Sequence, residues 1–528
     1  MEGQVLTHTP VERPRSDTER PSRSRLPDWH GLLYSPFLWS ALGCIVVAAI
    51  SAAVLPTVPS YDPWSWIVWG REVVDPHLSF TVGGGPSWKP LPVMFTTIFG
   101  LFGGASPTLW VIAARTGGLM ALVAAYRLAA LLVRTWSPDP VPAFSWGPVI
   151  AGLFAAAGVA LTQEWAYYMF RGTSEPMLVG LSLWAVDRHL AGRYRLAFVL
   201  GVAASLIRPE WWPFILIYAV WLWRRERSLP IRLLILAGLV SIPFFWFVPP
   251  WIGSGQPFLA ATHAKEYNGH LGKHPLLEVL RRGWNLQIPP MFVLGLVAVA
   301  IAWFGRPRNR LVLSLAAAAA AWWALVVAMT LDGYPGLERF YLPAAGITCV
   351  LAGAGIVQAA RLLGEAVRRP RSDASVSGKR AAPVLSAALG IALLLVALSV
   401  PFSTGRISDA RAQRPLASKA VTRFDQLTAA VAAVGGHAGV YPCHSSFAAV
   451  NHSAQTALAW KLHVTLGRVG TSMRHPGVMF VGPHDSIDGG VAAIDPRLDR
   501  IQLVKQVGAW KVYRVWRAGH STACVGAA

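Results

Sequence analysis

From about residue 37 to residue 401 the chain is a near-continuous succession of long apolar runs separated by short polar turns. Roughly eleven of these runs approach the ~20 apolar residues that a helix needs to cross a hydrocarbon core. After the first, they fall near 108–133, 147–163, 175–191, 194–208, 212–223, 231–249, 289–304, 311–330, 341–360 and 383–401. Hydrophobic residues make up 54%, charged residues only 14%, and there are 24 tryptophans, so the chain is a polytopic membrane protein and not a soluble globule. The net charge of +21 would suit nucleic acid. The arginines, however, sit in short turns between apolar runs, with no basic stripe or recognition motif, and nucleic-acid binding is excluded on that ground.

Those arginines orient the chain. Arg13, Arg15, Arg20, Arg23 and Arg25 precede the first run, which places the N-terminus in the cytoplasm. The tail they occupy, residues 1–36, is rich in Pro, Arg and Ser and is expected to be disordered. It is too long and polar to open as a secretory signal. Further clusters fall in alternate loops: Arg134; Arg188, Arg193 and Arg195; Arg224, Arg225, Arg227 and Arg232; Arg306, Arg308 and Arg310; then Arg361 through Arg380. The run Leu91–Ala105 is too short to span. If it crossed, Arg134 would fall outside and every later cluster would invert, so it is expected to lie as a helix on the outer membrane surface.

After Pro401 the apolar runs shorten and His, Asp and Asn return. Residues 37–401 are therefore expected to form the transmembrane domain and 402–528 a small exported α/β domain, with β-prone stretches at Gly439–Tyr441, Val478–Val481 and Trp510–Trp516. Cys443 and Cys524 share that oxidising compartment and are disulfide candidates, whereas Cys44 and Cys349 lie in spans as inert thiols. Asn451-His452-Ser453 matches a glycosylation acceptor, a motif short enough to recur by chance.

The first external segment carries the chemistry. It reads Tyr61-Asp62-Pro63-Trp64-Ser65-Trp66 and is followed by Trp88-Lys89-Pro90-Leu91-Pro92. An acid fixed by a following proline in a rigid interfacial loop needs water or a cation, and it is placed to take a proton from a substrate. Asp62 could equally be an Asp-Pro turn former, and Lys89 could merely snorkel at the interface. His263, His270 and His274 lie between Trp251 and Gln287, but without the spacing of a helical metal site; a cover over a cavity is the expected role of that loop. There is no phosphate-cradling glycine loop, no nucleophile elbow and no zinc-protease motif.

The run Trp88-Lys89-Pro90-Leu91-Pro92-Val93, continuing through Phe95 to Gly103, resembles the Lys-Pro-Pro-Leu segment of the polyprenyl-phosphate-dependent class C glycosyltransferases (GT-C), in their protein mannosyltransferase and aminoarabinose transferase branch. Trp165 through Glu175 resembles that family's second external loop, and Arg208-Pro209-Glu210 and Glu338-Arg339-Phe340-Tyr341-Leu342-Pro343 resemble its later turns. The chain departs in offering Glu175, and farther back Glu164, where aspartate is usual, which puts the second acidic role in doubt.

The resemblance implies an all-α GT-C-like bundle of a membrane glycosyltransferase. Its donor is a polyprenyl-phosphate sugar, and its acceptor a glycan, lipid or protein at the outer face. Asp62 is then the general base, and Lys89 the donor-phosphate ligand backed by Arg208 and Arg339, although each arginine has a neighbouring glutamate, Glu210 or Glu338, with which to form an ordinary ion pair. Glu175 would orient the acceptor, help hold a divalent metal ion, or simply cap the helix it opens. Tyr61, Trp64, Trp88, Arg171, Glu338 and Tyr341 are expected around the cavity. No cofactor follows with certainty, and a divalent metal ion is left open. A transporter or flippase for lipid-linked sugars, or a scaffold with an exported binding domain, also fits the topology; the transporter should carry mid-span charges and Gly/Pro-broken helices in symmetric positions, and the scaffold does not require Asp62, Lys89 and Glu175 to meet.

Overall fold

The computed structural model describes residues 35–136, 145–266, 274–305, 307–368, 381–483 and 493–527. Residues 1–34 of the expected tail, Arg306, the arginines between 369 and 380, His270 and Lys273 lie outside the described residues.

Each apolar run read as a span forms a helix: Pro36–Val54, Ser106–Trp136, Trp146–Ala160, Glu175–Leu190, Tyr194–Ser205, Trp212–Arg225, Leu229–Ser254, Pro289–Phe304, Arg310–Leu331, Leu342–Arg368 and Ala381–Ala433. Not all are full spans. Among the described residues six helices are long and apolar enough to cross a membrane, or up to eight if each of two bent pairs counts as one. Those pairs are Trp146–Ala160 with Trp165–Arg171, bent by 69°, and Pro275–Leu286 with Pro289–Phe304, bent by 95°. Eleven helices thus answer the eleven expected runs, and among the described residues six to eight spans meet the length and hydropathy of a full crossing. Tyr194–Ser205 has 12 residues and Trp212–Arg225 has 14, about 18 and 21 Å of helix against a core of roughly 30 Å. The chain is a multi-pass helical membrane protein.

Leu342–Arg368 is the axis of the bundle. Of its apolar window 89% is buried inside the protein, against 11% for Pro36–Val54, which faces outward. Small residues allow such packing, as Ala344, Ala345, Ala352 and Ala354 are all buried there. The Glu175–Leu190 helix lies equally close against Ser106–Trp136, because Gly180 sits on the carbonyl of Gly117 where any Cβ would collide.

Two helices lie between the first span and its return, where a loop and one juxtamembrane helix were expected. Tyr61–Val74 begins at the supposed loop, because Asp62 and Pro63 both suit a first turn: the acid faces the positive end of the helix, and the proline's missing N–H is not needed there. Pro90–Gly100 crosses it at Gly70, whose α-carbon rests on the Thr96 backbone, and Thr96 Oγ1 donates to the Trp66 carbonyl at 2.6 Å. A short 3₁₀ turn at Gly103–Ala105 then leads into the Ser106 helix.

Ala381–Ala433 has 53 residues and passes through Pro401 and Pro415 unbroken. At 1.5 Å per residue it reaches about 80 Å, so the last apolar run continues directly into the C-terminal domain without a linker at 401. That domain is α/β. β1 (Phe447–Val450) pairs in parallel with β2 (Val469–Gly470) and with β4 (Gly477–Val481). β7 (Trp510–Trp516) runs antiparallel to β4 and to β6 (Arg500–Val507), giving the order β2-β1-β4-β7-β6. β3 (Ser472–Met473) and β5 (Ala493–Ile494) form a separate pair. The stretch Gly439–Tyr441 is not a strand: Gly435 and Gly436, at φ 84° and 63°, restart the chain as a helical turn over Gly436–Val440. Cys443 and Cys524 are joined in a disulfide, with α-carbons 5.2 Å apart.

The domain sits directly on the Tyr61–Val74 helix. Arg71 donates to the carbonyls of Ala459, Trp460 and Val464, the C-terminal end of the His452–Lys461 helix. Glu72 accepts the Thr81 and Leu466 backbone N–H groups at 2.9 and 3.1 Å. Thr456 donates to the Tyr61 carbonyl, and Trp64 packs against Phe424 and Trp460.

Candidate functional site

Five charged side chains from five separate segments meet at one place. Lys89 Nζ lies 3.1 Å from Glu175 Oε1 and donates to Ser174 Oγ at 2.9 Å. The same glutamate oxygen is 3.8 Å from Arg208 Nη1 and 3.9 Å from Arg339 Nη1. Arg339 Nη1 is also 3.6 Å from Asp62 Oδ2. Glu175 is thus shared among three cations, while Asp62 reaches the cluster through Arg339. Behind it, Glu210 Oε1 accepts from Arg208 Nη2 and Nε at 2.6 and 3.0 Å.

Local chain chemistry explains the convergence. Each of the five sits where a helix or 3₁₀ turn begins, and four precede a proline: Asp62-Pro63, Lys89-Pro90, Glu175-Pro176 and Arg208-Pro209. Proline suits the first turn and pushes the residue before it toward extended backbone, as at Lys89 (φ −132°, ψ 110°) and Arg208 (φ −144°, ψ 133°). Arg339 enters from the 3₁₀ turn Glu338–Tyr341, which opens the central helix. Helix starts also contribute positive potential, which favours an anion at their meeting point.

The residues differ in freedom. Glu175 and Lys89 side chains are 1% and 10% exposed, whereas Asp62 and Arg339 are 23% and 31% exposed. Lys89 lies over the Trp66 ring at 5.0 Å and Arg208 over the Phe340 ring at 3.9 Å, so both are held on an aromatic face as well as by carboxylates. Arg339 has only ion pairs beyond hydrogen-bond distance, and its Nε is buried without a partner among the described residues. Glu175 Oε2 and Glu210 Oε2 are likewise buried and unpartnered.

The other expected cavity residues lie elsewhere. Tyr61 turns to the C-terminal domain, donating to Gln455 Oε1 at 3.1 Å with its ring 4.0 Å from His452. Trp64 is buried against that same domain, and Trp88 is 3% exposed, with its indole donating to the Phe245 carbonyl. Trp64 and Trp88 are thus covered, the first by the C-terminal domain and the second by the Leu229–Ser254 helix, while Tyr61 is half-buried against the domain. Arg171 lies beside Tyr167 and Arg423. Glu338 faces Arg282 at 3.8 Å, so Arg339 does not pair with its sequence neighbour, while the alternative ion pair Arg208–Glu210 does form. Tyr341 is fully buried, its ring 4.6 Å from that of Trp323. Glu175 opens its helix but makes no capping hydrogen bond; Ser174 holds the cap position and instead accepts from Lys89. Ser174 and Phe340 were missed as partners; the Glu175-Pro176 pair beside Ser174 could have drawn attention to it, and only the neighbouring Arg339 to Phe340. Within the spans, Arg127 pairs with Asp187 at 3.2 Å, and Arg115 bonds to Met169, Ser51 and Pro56, so these intramembrane charges serve packing.

Among the described residues no group of three His, Cys, Asp or Glu side chains is placed to hold a metal ion. The histidine loop contributes two helices, Leu259–Glu266 and Pro275–Leu286, and Lys265 pairs with Asp332 at 2.8 Å.

No protein-family model matches the sequence, and no curated protein matches it. Among solved structures, the crystal structure of ArnT from Cupriavidus metallidurans bound to undecaprenyl phosphate is similar over 91% of this chain and 98% of that one, with a TM-score of 0.50 at 13% identity. The apo state of the same ArnT gives a TM-score of 0.48 at 14% identity, covering 90% and 97%. The fold is therefore ArnT-like: a multi-pass helical membrane bundle with a C-terminal α/β sheet region.

Proposed function

We propose that this protein is a GT-C glycosyltransferase that moves a sugar from a polyprenyl-phosphate donor to an acceptor at the outer membrane face. The ArnT whose fold it shares was crystallised with undecaprenyl phosphate. The observation that carries the proposal is the meeting of Lys89, Arg208 and Arg339 with Asp62 and Glu175 at a ring of helix starts. A scaffold does not require that meeting.

In this reading the donor phosphate binds at the cations, and Arg339, the most exposed and loosely paired of them, turns to it first. The acceptor oxygen attacks the anomeric carbon, the bond from that carbon to the phosphate oxygen breaks, and polyprenyl phosphate leaves with the electron pair. The acceptor proton passes to Asp62, the carboxylate with exposed surface from which to reach it. Glu175, buried among the cations, fixes their positions and so prepares the charge that the leaving phosphate meets. In this reading all eleven helices cross in turn from a cytoplasmic N-terminus, favoured by the arginine distribution, so that the cluster and the domain after the last helix lie on the far side. Purified protein in vesicles, supplied with a panel of polyprenyl-phosphate sugars and envelope glycans, lipids or proteins, should release polyprenyl phosphate with one donor. Release with none of the panel would count against the proposal.

A further inference from the structure

A second charged opening lies away from the cluster, at the other end of the helix that carries Asp62. Arg71 is nine residues beyond Asp62, about 14 Å along a helix. There the Tyr61–Val74 helix, the turn after Pro90–Gly100 and the C-terminal domain enclose a cleft of about 690 Å³. Its lining includes Arg71, Asp75, Lys461 and His463 together with Gly100, Leu101, Gly103 and Gly104 of the small-residue turn. Beside it, Ile98, Leu101 and Phe102 are 57%, 71% and 61% exposed, on the surface expected to meet the bilayer.

The charges in the cleft are unevenly matched. Arg71 spends its hydrogen bonds on three neutral carbonyls, with its guanidinium 4.5 Å from the Trp460 ring centre. The Lys461 ammonium bonds the neutral Thr428 hydroxyl, with no carboxylate within ion-pair distance among the described residues. Asp425 is the acid that acts on Lys461 from farther off, and burial pulls the lysine below its ordinary range. Asp75, the carboxylate of the lining, is committed to His463 at 2.7 Å and to the His77 backbone. Glu72 bonds to the Thr81 and Leu466 backbone and, with Asp75, offsets the Arg71 charge. What remains is the Lys461 ammonium beside an apolar rim at the membrane surface, the complement of a phosphate headgroup whose chains stay in the bilayer.

We infer that the cleft between the juxtamembrane helices and the C-terminal domain binds the phosphate headgroup of an anionic lipid, at a site separate from the charged cluster at Asp62. Such a lipid would tie the domain to the membrane surface through Lys461 and seat its chains against Leu101 and Phe102. The inference is independent of sugar transfer.

The test is native mass spectrometry of the full chain released from micelles with phosphatidylglycerol or phosphatidylcholine. Wild-type protein should retain phosphatidylglycerol preferentially. Lys461→Gln should weaken that retention about tenfold, the worth of a charge-assisted hydrogen bond, while Lys461→Arg keeps it. Leu101→Ser should weaken lipid retention too. Thermal unfolding of each variant separates loss of binding from loss of fold; if Lys461→Gln unfolds, His463→Gln replaces it and should weaken retention in the same direction. Equal retention of the two lipids, or the same phosphatidylglycerol retention in wild type and the folded Lys461→Gln or His463→Gln protein, overturns the inference. So does full competition by millimolar inorganic phosphate together with indifference to Leu101→Ser, which would make the ligand a soluble phosphate.

Discussion

Replacing Glu175 by glutamine removes one negative charge from a point that three cations share. Its Oε1 lies 3.1 Å from Lys89, 3.8 Å from Arg208 and 3.9 Å from Arg339. Arg208 keeps Glu210 and Arg339 keeps Asp62, but Lys89, 10% exposed, is left with the Ser174 hydroxyl, the Trp66 ring and the new amide, and with no carboxylate within ion-pair distance among the described residues. Removing one partner of a buried ion pair costs roughly 3–5 kcal/mol, and because the amide oxygen can still accept, a loss near 3 kcal/mol is expected. Lys89→Met should cost less, since Glu175 retains two arginines. The pair should be coupled, so that the double variant is more stable than the sum of the singles implies by about 1–3 kcal/mol. Unfolding in mixed micelles titrated with SDS measures all three. If Glu175→Gln stays within about 0.5 kcal/mol of wild type and the double variant is additive, Glu175 does not organise the cations and the charge argument fails.

Lys89→Ala should raise the apparent KM and lower kcat together, because the lysine is argued to serve both the bound donor and its departing phosphate; steady-state kinetics with the active donor checks the split. Burial lifts the Glu72 carboxyl from 4.5 to about 7, against the backbone N–H groups of Thr81 and Leu466 that pull it down. The folded chain therefore holds that proton more tightly than the unfolded one. Stability should fall as pH rises from about 4.5 to about 7, by up to ~3 kcal/mol, and Glu72→Gln should flatten that slope in melts run across the range. The Cys443–Cys524 disulfide closes a separation of 81 residues. Serine at both positions should cost about 4 kcal/mol in the C-terminal domain, and finding both thiols free in protein from native membranes would place that domain on the reducing side.

Much of the site could be read locally, because its signal is local. A charge followed by proline marks the start of a helix, and at Asp62, Lys89, Glu175 and Arg208 that pair of residues fixes both the element and the placement of its charge. Arg339 lacks the proline and was legible only through its place at the end of an apolar run. What could not be read was long-range. Tyr61, Trp64 and Trp88 look like interfacial aromatics until the C-terminal domain and the Leu229–Ser254 helix cover them. Hydropathy alone does not settle the span count either, because runs of 12 to 16 residues fall short of the ~20 a crossing needs whether they are buried like Glu175–Leu190 or largely exposed like Trp212–Arg225. Pro401 reads as a boundary because the apolar runs shorten and His, Asp and Asn return after it, yet the helix passes through it.

The most direct test is the release of polyprenyl phosphate by wild-type and Asp62→Asn protein, with the active donor and its acceptor. Asparagine keeps the shape of the side chain and removes its basicity, so the folded variant should still bind donor. Turnover should fall by the roughly 10²–10⁴-fold typical of lost general-base assistance. A folded Asp62→Asn protein that transfers sugar at the wild-type rate would show that Asp62 is not the base and that the chemistry does not run as proposed.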